Sequence, residues 1–175
     1  LSDDNKILTV DQRLDKLKQA FEWIKEPAQI EKYKWVFIDS LTELGELHLE
    51  KYTAFFAGGK DKFGIYRETG NDMRKIIKDF RDLPYYNVVF TALSGYDKDQ
   101  DKYTVQVPGS LKDQLAGYLD EVYYYHGIPQ EDGTKKRVLI TNKVGKADGK
   151  NRLGGLDLME EPDLGKIFTK ITGQN

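Results

Sequence analysis

Lys34-Trp35-Val36-Phe37-Ile38-Asp39-Ser40-Leu41-Thr42-Glu43-Leu44 decides how the rest of the chain is read. Its four consecutive apolar residues, Trp35-Val36-Phe37-Ile38, read as a strand buried on both faces, as the middle of a parallel sheet under helices requires. The run stops on an acid. An aspartate at the carboxyl end of such a strand, followed by a small hydroxyl residue and a helix, stands where open α/β sheets bind their ligands. In phosphate-binding proteins of that class an acid here orients a magnesium ion and its water shell. Asp and Ser are also favoured N-cap residues, so capping of the following helix is the other reading of Asp39-Ser40.

Upstream of this stretch, Thr9-Val10-Asp11-Gln12 has the form of a capping box, and Leu14, Leu17, Phe21 and Ile24 recur at helical spacing. An amphipathic helix over residues 10–26, stopped by Pro27, is expected. Downstream, Leu41, Leu44, His48, Tyr52 and Phe55 mark one stripe of a second helix ending near Gly58-Gly59. His48 on that stripe reads as a partly buried, hydrogen-bonded histidine, since no second candidate ligand has matching spacing. Residues 58–64 read as a turn-rich, mobile connector. Met73, Ile76, Ile77, Phe80 and Leu83 outline a third helix, and Tyr86 to Leu93 a second buried strand. The order helix, strand, helix, helix, strand is that of a doubly wound α/β sheet with right-handed crossovers.

Beyond Ser94 the character changes. Residues 94–102 are polar and glycine-punctuated, an exposed loop by composition, and Tyr103 to Val107 alternate like a short edge strand. A short helix over Leu111, Leu115 and Leu119 precedes Asp120-Glu121-Val122-Tyr123-Tyr124-Tyr125-His126. This reads as a strand paired antiparallel, through a turn at residues 130–133, with Lys136-Arg137-Val138-Leu139-Ile140-Thr141. A mixed sheet, mainly parallel with antiparallel edge strands, is therefore expected in a single domain over residues 1–175. The tyrosines suit cross-strand packing, the alternative being a platform on which bases stack. Residues 142–152 carry four cations and one acid in eleven residues and read as a flexible basic loop at a strand end, either simply solvated or functional. Leu164, Ile167, Phe168 and Ile171 mark a closing helix with Gly173 at its C-cap.

Composition sets bounds on these readings. With 175 residues, 39% hydrophobic and 32% charged, the chain has the make-up of a globular protein with a proper core. A formal net charge of −2 supplies no global attraction to nucleic acid, so such contacts fall to local basic loops. The absence of cysteine excludes disulfides, thiolate metal sites and a cysteine nucleophile. No apolar run approaches the roughly 18 residues needed to span a bilayer, so no membrane association and a cytoplasmic location are expected. The chain opens on Leu1-Ser2-Asp3-Asp4 without an initiator methionine, which suggests a fragment or processed product.

Together these parts resemble the RecA-like ATPase core, and in particular phage-encoded RecA-like recombination proteins of the single-strand-annealing type. Val36-Phe37-Ile38-Asp39-Ser40-Leu41 is similar to the Walker B strand, whose aspartate holds the magnesium ion of bound ATP. Val88-Val89-Phe90-Thr91-Ala92 is similar to the strand whose end senses the γ-phosphate, although it ends without an amide or imidazole, leaving Thr91 or Ser94 as substitutes. Arg137-Val138-Leu139-Ile140-Thr141-Asn142-Lys143 resembles the late strand after which a lysine reaches a neighbouring subunit's ATP. The resemblance therefore implies Asp39, Ser40 and Lys143 as catalytic residues. It implies Asp39, Ser40, Thr91, Lys143, Lys146, Lys150 and Arg152 around ATP, with Asp39 on Mg²⁺. The implied fold is a RecA-like doubly wound sheet, and the implied assembly a ring or filament with ATP between subunits, in a host cytoplasm if phage-encoded.

The sequence departs from this family at one decisive point: no G-x-x-x-x-G-K-[ST] phosphate loop occurs in it. The resemblance places that loop and the catalytic glutamate before Leu1, on roughly 40 to 60 residues by ordinary element lengths. ATP hydrolysis is then expected of the longer parent and not of these 175 residues, with Glu43 reading as an exposed helix residue and not the base. Single-stranded DNA contacts are placed by the resemblance on residues 58–64 and 94–103, at Lys60, Lys62, Phe63, Tyr96, Lys98 and Lys102. A nucleotide-independent RecA-like assembly domain and a hexameric helicase-like motor are the competing readings.

Overall fold

The computed structural model describes residues 7–58 and 61–173. It separates into two compact units, one comprising residues up to Leu93 with Val105–Lys112, the other Ser94–Thr104 with Asp113–Asn175.

In the first unit, helix α1 (Val10–Ile24) starts at the expected capping box. The Thr9 hydroxyl accepts from the Gln12 amide at 3.3 Å while the Gln12 side chain accepts from the Thr9 amide at 2.9 Å. Pro27 does more than stop this helix, for it opens a short helix α2 (Pro27–Lys32) from the first position, where a missing N–H costs nothing. Strand β1 (Trp35–Ile38) leads into α3 (Leu41–Phe55), then α4 (Lys62–Arg81) and β2 (Asn87–Phe90). Strands β1 and β2 pair in parallel, Val36 opposite Val88 and Ile38 opposite Phe90. These four side chains share a face and pack on Leu17, Phe21 and Ile24 of α1 and Ile76 and Phe80 of α4, with the Phe21 and Phe80 rings edge to face at 4.9 Å.

The expectation that β1 is buried on both faces is corrected here. Residues alternate faces along a strand, and Phe37, pointing opposite to Val36 and Ile38, is 56% exposed. An apolar run declares that a strand is buried, not how many faces are covered. The connector at 58–64 is corrected as well. Asp61 caps α4 by accepting from the Gly64 amide at 2.8 Å, so Lys62, Phe63 and Gly64 belong to a helical turn. On the stripe of α3, Leu41, Leu44 and His48 are buried, whereas Phe55 points to solvent.

Helix α5 (Leu111–Tyr118) straddles the division between units. In the second unit, residues 94–102 form no open loop but most of a hairpin of β3 (Ser94–Asp97) and β4 (Lys102–Val105). Its turn is held by the Asp97 carboxylate, which accepts from the amides of Asp99 and Gln100 at 3.0 and 3.1 Å. The expected strand at 120–126 breaks at Tyr123 into β5 (Glu121–Val122) and β6 (Tyr124–Pro129). Strand β6 pairs antiparallel with β7 (Lys135–Ile140), β5 with β8 (Lys150–Asn151), and β7 with β9 (Met159–Glu160). Val138, Ile140 and Ala147 form the core here, with Tyr124, Ile128 and Val144 against them. Helix α6 (Leu164–Thr172) ends at Gly173, left-handed at φ 66° as a C-cap glycine.

The architecture is thus mixed α/β with small sheets, and β1–β2 is the single parallel pair among the described strands. The mainly parallel doubly wound sheet is not observed, since the strands of the second unit run as short antiparallel pairs.

Candidate functional site

Register brings together the two strand ends singled out in the sequence. The Thr91 amide donates to Ile38 O at 3.0 Å and the Leu41 amide to Thr91 O at 2.8 Å, extending the β1–β2 ladder past its formal end. This sets the Thr91 hydroxyl against Asp39, donating to Oδ1 at 2.5 Å across 52 residues of sequence. Ser40 caps α3, its Oγ accepting from the Glu43 amide at 3.2 Å. Of the two cap candidates, Ser40 takes the role and leaves the Asp39 carboxylate exposed at the joined strand ends. The Asp39–Ser40 peptide is cis.

A second tie, not read from the sequence, lies one turn on: Thr42 Oγ1 accepts from the Leu93 amide at 3.0 Å. A threonine at the second position of α3 carries no pattern that announces such a link. Glu43, the alternative base, is exposed and lies 3.8 Å from Arg13. Among the described residues no cation pairs with Asp39.

The basic segment belongs to the second unit and is ordered in a way its composition did not suggest. Val144 and Ala147 bridge to each other through both backbone pairs, at 3.0 and 2.9 Å. Lys146 Nζ donates to Asp101 Oδ1 at 2.6 Å and to the Tyr96 hydroxyl at 2.9 Å. These bonds raise the Lys146 pKa, and Lys146, with Tyr96 second, lowers that of Asp101. Lys150 Nζ reaches Ala116 O at 2.8 Å and Leu119 O at 2.6 Å, satisfying carbonyls at the end of α5. Arg152 pairs with Asp120 at 3.0 Å. Lys143 is exposed, two residues beyond the fully buried Thr141, whose hydroxyl donates to Asp157 O at 2.7 Å.

Of the DNA candidates, Lys62 and Phe63 lie in the first turn of α4, with Phe63 exposed. Tyr96 is on β3, Lys98 in the hairpin turn, and Lys102 on β4 paired with Asp148 at 3.2 Å. Lys60 lies outside the described residues.

A family model described as an AAA domain matches residues 2–153. The chain belongs to that family of P-loop ATPases. No curated protein and no solved structure matches it. Members of this family generally bind ATP with Mg²⁺. The donor set at Asp39 fits that ion. Mg²⁺ keeps several waters and takes one or two carboxylates plus substrate phosphates, not a cage of protein ligands. Asp39 is one exposed carboxylate flanked by a hydroxyl, and no group of three or more acids or histidines suited to a metal occurs among the described residues. No helix among them is long and apolar enough to cross a membrane.

Proposed function

We propose that the carboxyl ends of β1 and β2 form the magnesium-facing side of an ATP site, in a RecA-like recombination protein that acts on single-stranded DNA. One observation carries the reading: Asp39 and Thr91, immediately after the neighbouring parallel strands β1 and β2, are joined by a hydrogen bond where α/β sheets bind ligands. Asp39 would hold the ion through its waters, and a bound Mg²⁺ would supply positive charge to neutralise phosphate. Thr91 orients the carboxylate by occupying Oδ1 and directing the other oxygen elsewhere. Ser40, engaged as cap, fixes the start of α3, whose N-terminal amides add positive potential beside the same point. Glu43, already near Arg13, is left without a part in proton transfer.

Lys143 is the cation this reading assigns to a neighbouring subunit's phosphates. It is exposed, while Lys146, Lys150 and Arg152 are each engaged within their own unit. The recombination role and the contact with single-stranded DNA rest on the resemblance of the motifs, and support for a nucleotide site comes from the family match.

The experiment is equilibrium binding of a fluorescent ATP analogue to this chain with Mg²⁺ and with EDTA. Binding is expected to depend on Mg²⁺ and to weaken in Asp39→Asn, with Thr91→Val intermediate. Identical affinities in Mg²⁺ and EDTA, or in Asp39→Asn and the wild type, refute the site and favour a nucleotide-independent assembly domain.

A further inference from the structure

Helices α1, α3 and α4 of the first unit line an open cavity of about 340 Å³. Its apolar walls include Leu14 and Phe80, which are buried, and Leu17, Phe21 and Ile76, which are only half-buried. His48 of α3 and Asp72 of α4 belong to the polar part of the lining. Sites for small organic ligands run from roughly 300 to 1,000 Å³ and combine apolar walls with a few convergent polar groups. This cavity has that make-up at the small end of the range.

What the polar part lacks is a donor. His48 Nδ1 is 2.9 Å from Leu44 O, and a carbonyl can only accept, so Nδ1 carries the proton. Burial lowers the pKa of the ring and keeps it neutral near pH 7, which leaves Nε2 with a lone pair. Nε2 lies 3.7 Å from Asp72 Oδ2, a second acceptor, with no hydrogen bond between them. The Tyr52 hydroxyl and Lys51 reach Asp72 on that same oxygen, at 2.7 and 3.4 Å, and no described residue bonds Oδ1. Charge points the same way. The lining carries five carboxylates against three lysines, an excess of two negative charges. Each of those lysines already faces an acid of the lining: Lys18 meets Asp15 at 2.9 Å, Lys75 meets Asp79 at 2.5 Å, and Lys51 meets Asp72.

We propose that this cavity binds a small primary amine with an aromatic or branched apolar body, its ammonium group between His48 Nε2 and Asp72 and its body against Leu17, Phe21 and Ile76. An ammonium brings three N–H donors and so satisfies the imidazole and the carboxylate together, with a charge-assisted bond to the latter. Water alone bridges the two acceptors but leaves the apolar walls wet, whereas an apolar body removes that surface from water. An anion of the same shape meets two acceptors and a negative lining. None of these residues belongs to the Asp39 site, so the proposal stands or falls apart from the nucleotide reading.

The test is a two-dimensional NMR titration of the full chain, near neutral pH, with 2-phenylethylamine and, separately, with 3-phenylpropionate, which carries the same ring at the same reach with the opposite charge. The amine is expected to give saturable amide shifts around Leu17, His48 and Ile76 with a Kd on the order of 1 mM, and to move the His48 Nε2 resonance. The acid is expected to bind at least about tenfold more weakly, and Asp72→Asn, which keeps the shape and an acceptor for Tyr52, to lose a similar factor for the amine. The comparison of the two probes uses the wild-type chain and needs no variant to fold. Equal affinity for the two probes, or unchanged amine affinity in a folded Asp72→Asn, overturns the ammonium assignment. Absence of saturable shifts with the amine at about ten times the expected Kd overturns the site itself.

Discussion

Gly149→Ala is expected to be among the most destabilising conservative changes in the second unit. A Cβ at residue 149 would stand 2.7 Å from Thr141 C, 2.8 Å from Asn142 N and 2.8 Å from Ile140 O. Non-bonded carbon contacts have their optimum near 3.5 to 4.0 Å, so the two backbones must part by most of an ångström. The obstacles are main-chain atoms at the end of β7, which carry no rotamer to yield. Overpacking of this kind costs about 1–3 kcal/mol, which for a chain of this size lowers Tm by roughly 2–12 °C. Gly117→Ala is the control of opposite sign. It lies within α5 with nothing within 4 Å of its added Cβ, and replacing a helical glycine there should stabilise by about 0.5–1 kcal/mol. Thermal unfolding followed by circular dichroism reads both. A Gly149→Ala variant within about 0.5 kcal/mol of wild type would show that residues 142–152 do not pack down on the strand end, and the ordered basic segment would fall with it.

Other expected outcomes concern single groups. His48 is 3% exposed, its Nδ1 2.9 Å from Leu44 O and its Nε2 3.7 Å from Asp72. Burial lowers its pKa below 6.5, outweighing the Leu44 carbonyl and the Asp72 carboxylate, which raise it. The unfolded chain then takes up a proton before the folded one does, so stability should be full above pH 6.5 and decline as pH falls below it. Urea unfolding of wild type and His48→Gln between pH 5 and 8 measures the difference, and parallel pH profiles would refute it. Lys150→Met should cost about 1 kcal/mol by uncapping α5, seen as faster amide exchange near Tyr118; unchanged exchange would count against the cap. No G-x-x-x-x-G-K-[ST] occurs in the sequence, so this chain is expected not to turn over ATP, which a phosphate-release assay checks.

Local signals carried much of the fold. Thr9 with Gln12, Ser40 before Leu41 and Gly173 after Thr172 each announce a helix end through chemistry confined to a few residues, and each is found there. Where one residue type serves two purposes, local reading shows only one of them. Pro27 was expected as a stop and is also a start. Gly64 suggested a loop, yet it lies in the first turn of α4, where an added Cβ would come within 2.9 Å of the Phe56 ring. The acids of the β3–β4 hairpin suggested an open loop because polar composition does not show which amides a carboxylate will bind. Asp39 was legible as a candidate from its strand alone. Its partner Thr91 was legible only as another strand end, since their contact depends on a parallel register spanning 52 residues. The fastenings of Lys146, Lys150 and Arg152 were invisible for the same reason, each joining elements about 30 to 50 residues apart.

Those fastenings make the basic segment a junction. Lys146 anchors the β3–β4 turn, Lys150 closes the last turn of α5, and Arg152 holds the approach to β5. An anion that recruits any one of these side chains must first unhook the element it secures. Occupancy at the segment would then be written elsewhere in the unit, as a frayed helix end or a loosened hairpin tip, and a probe placed at Tyr118 or Asp99 would register a ligand it never touches.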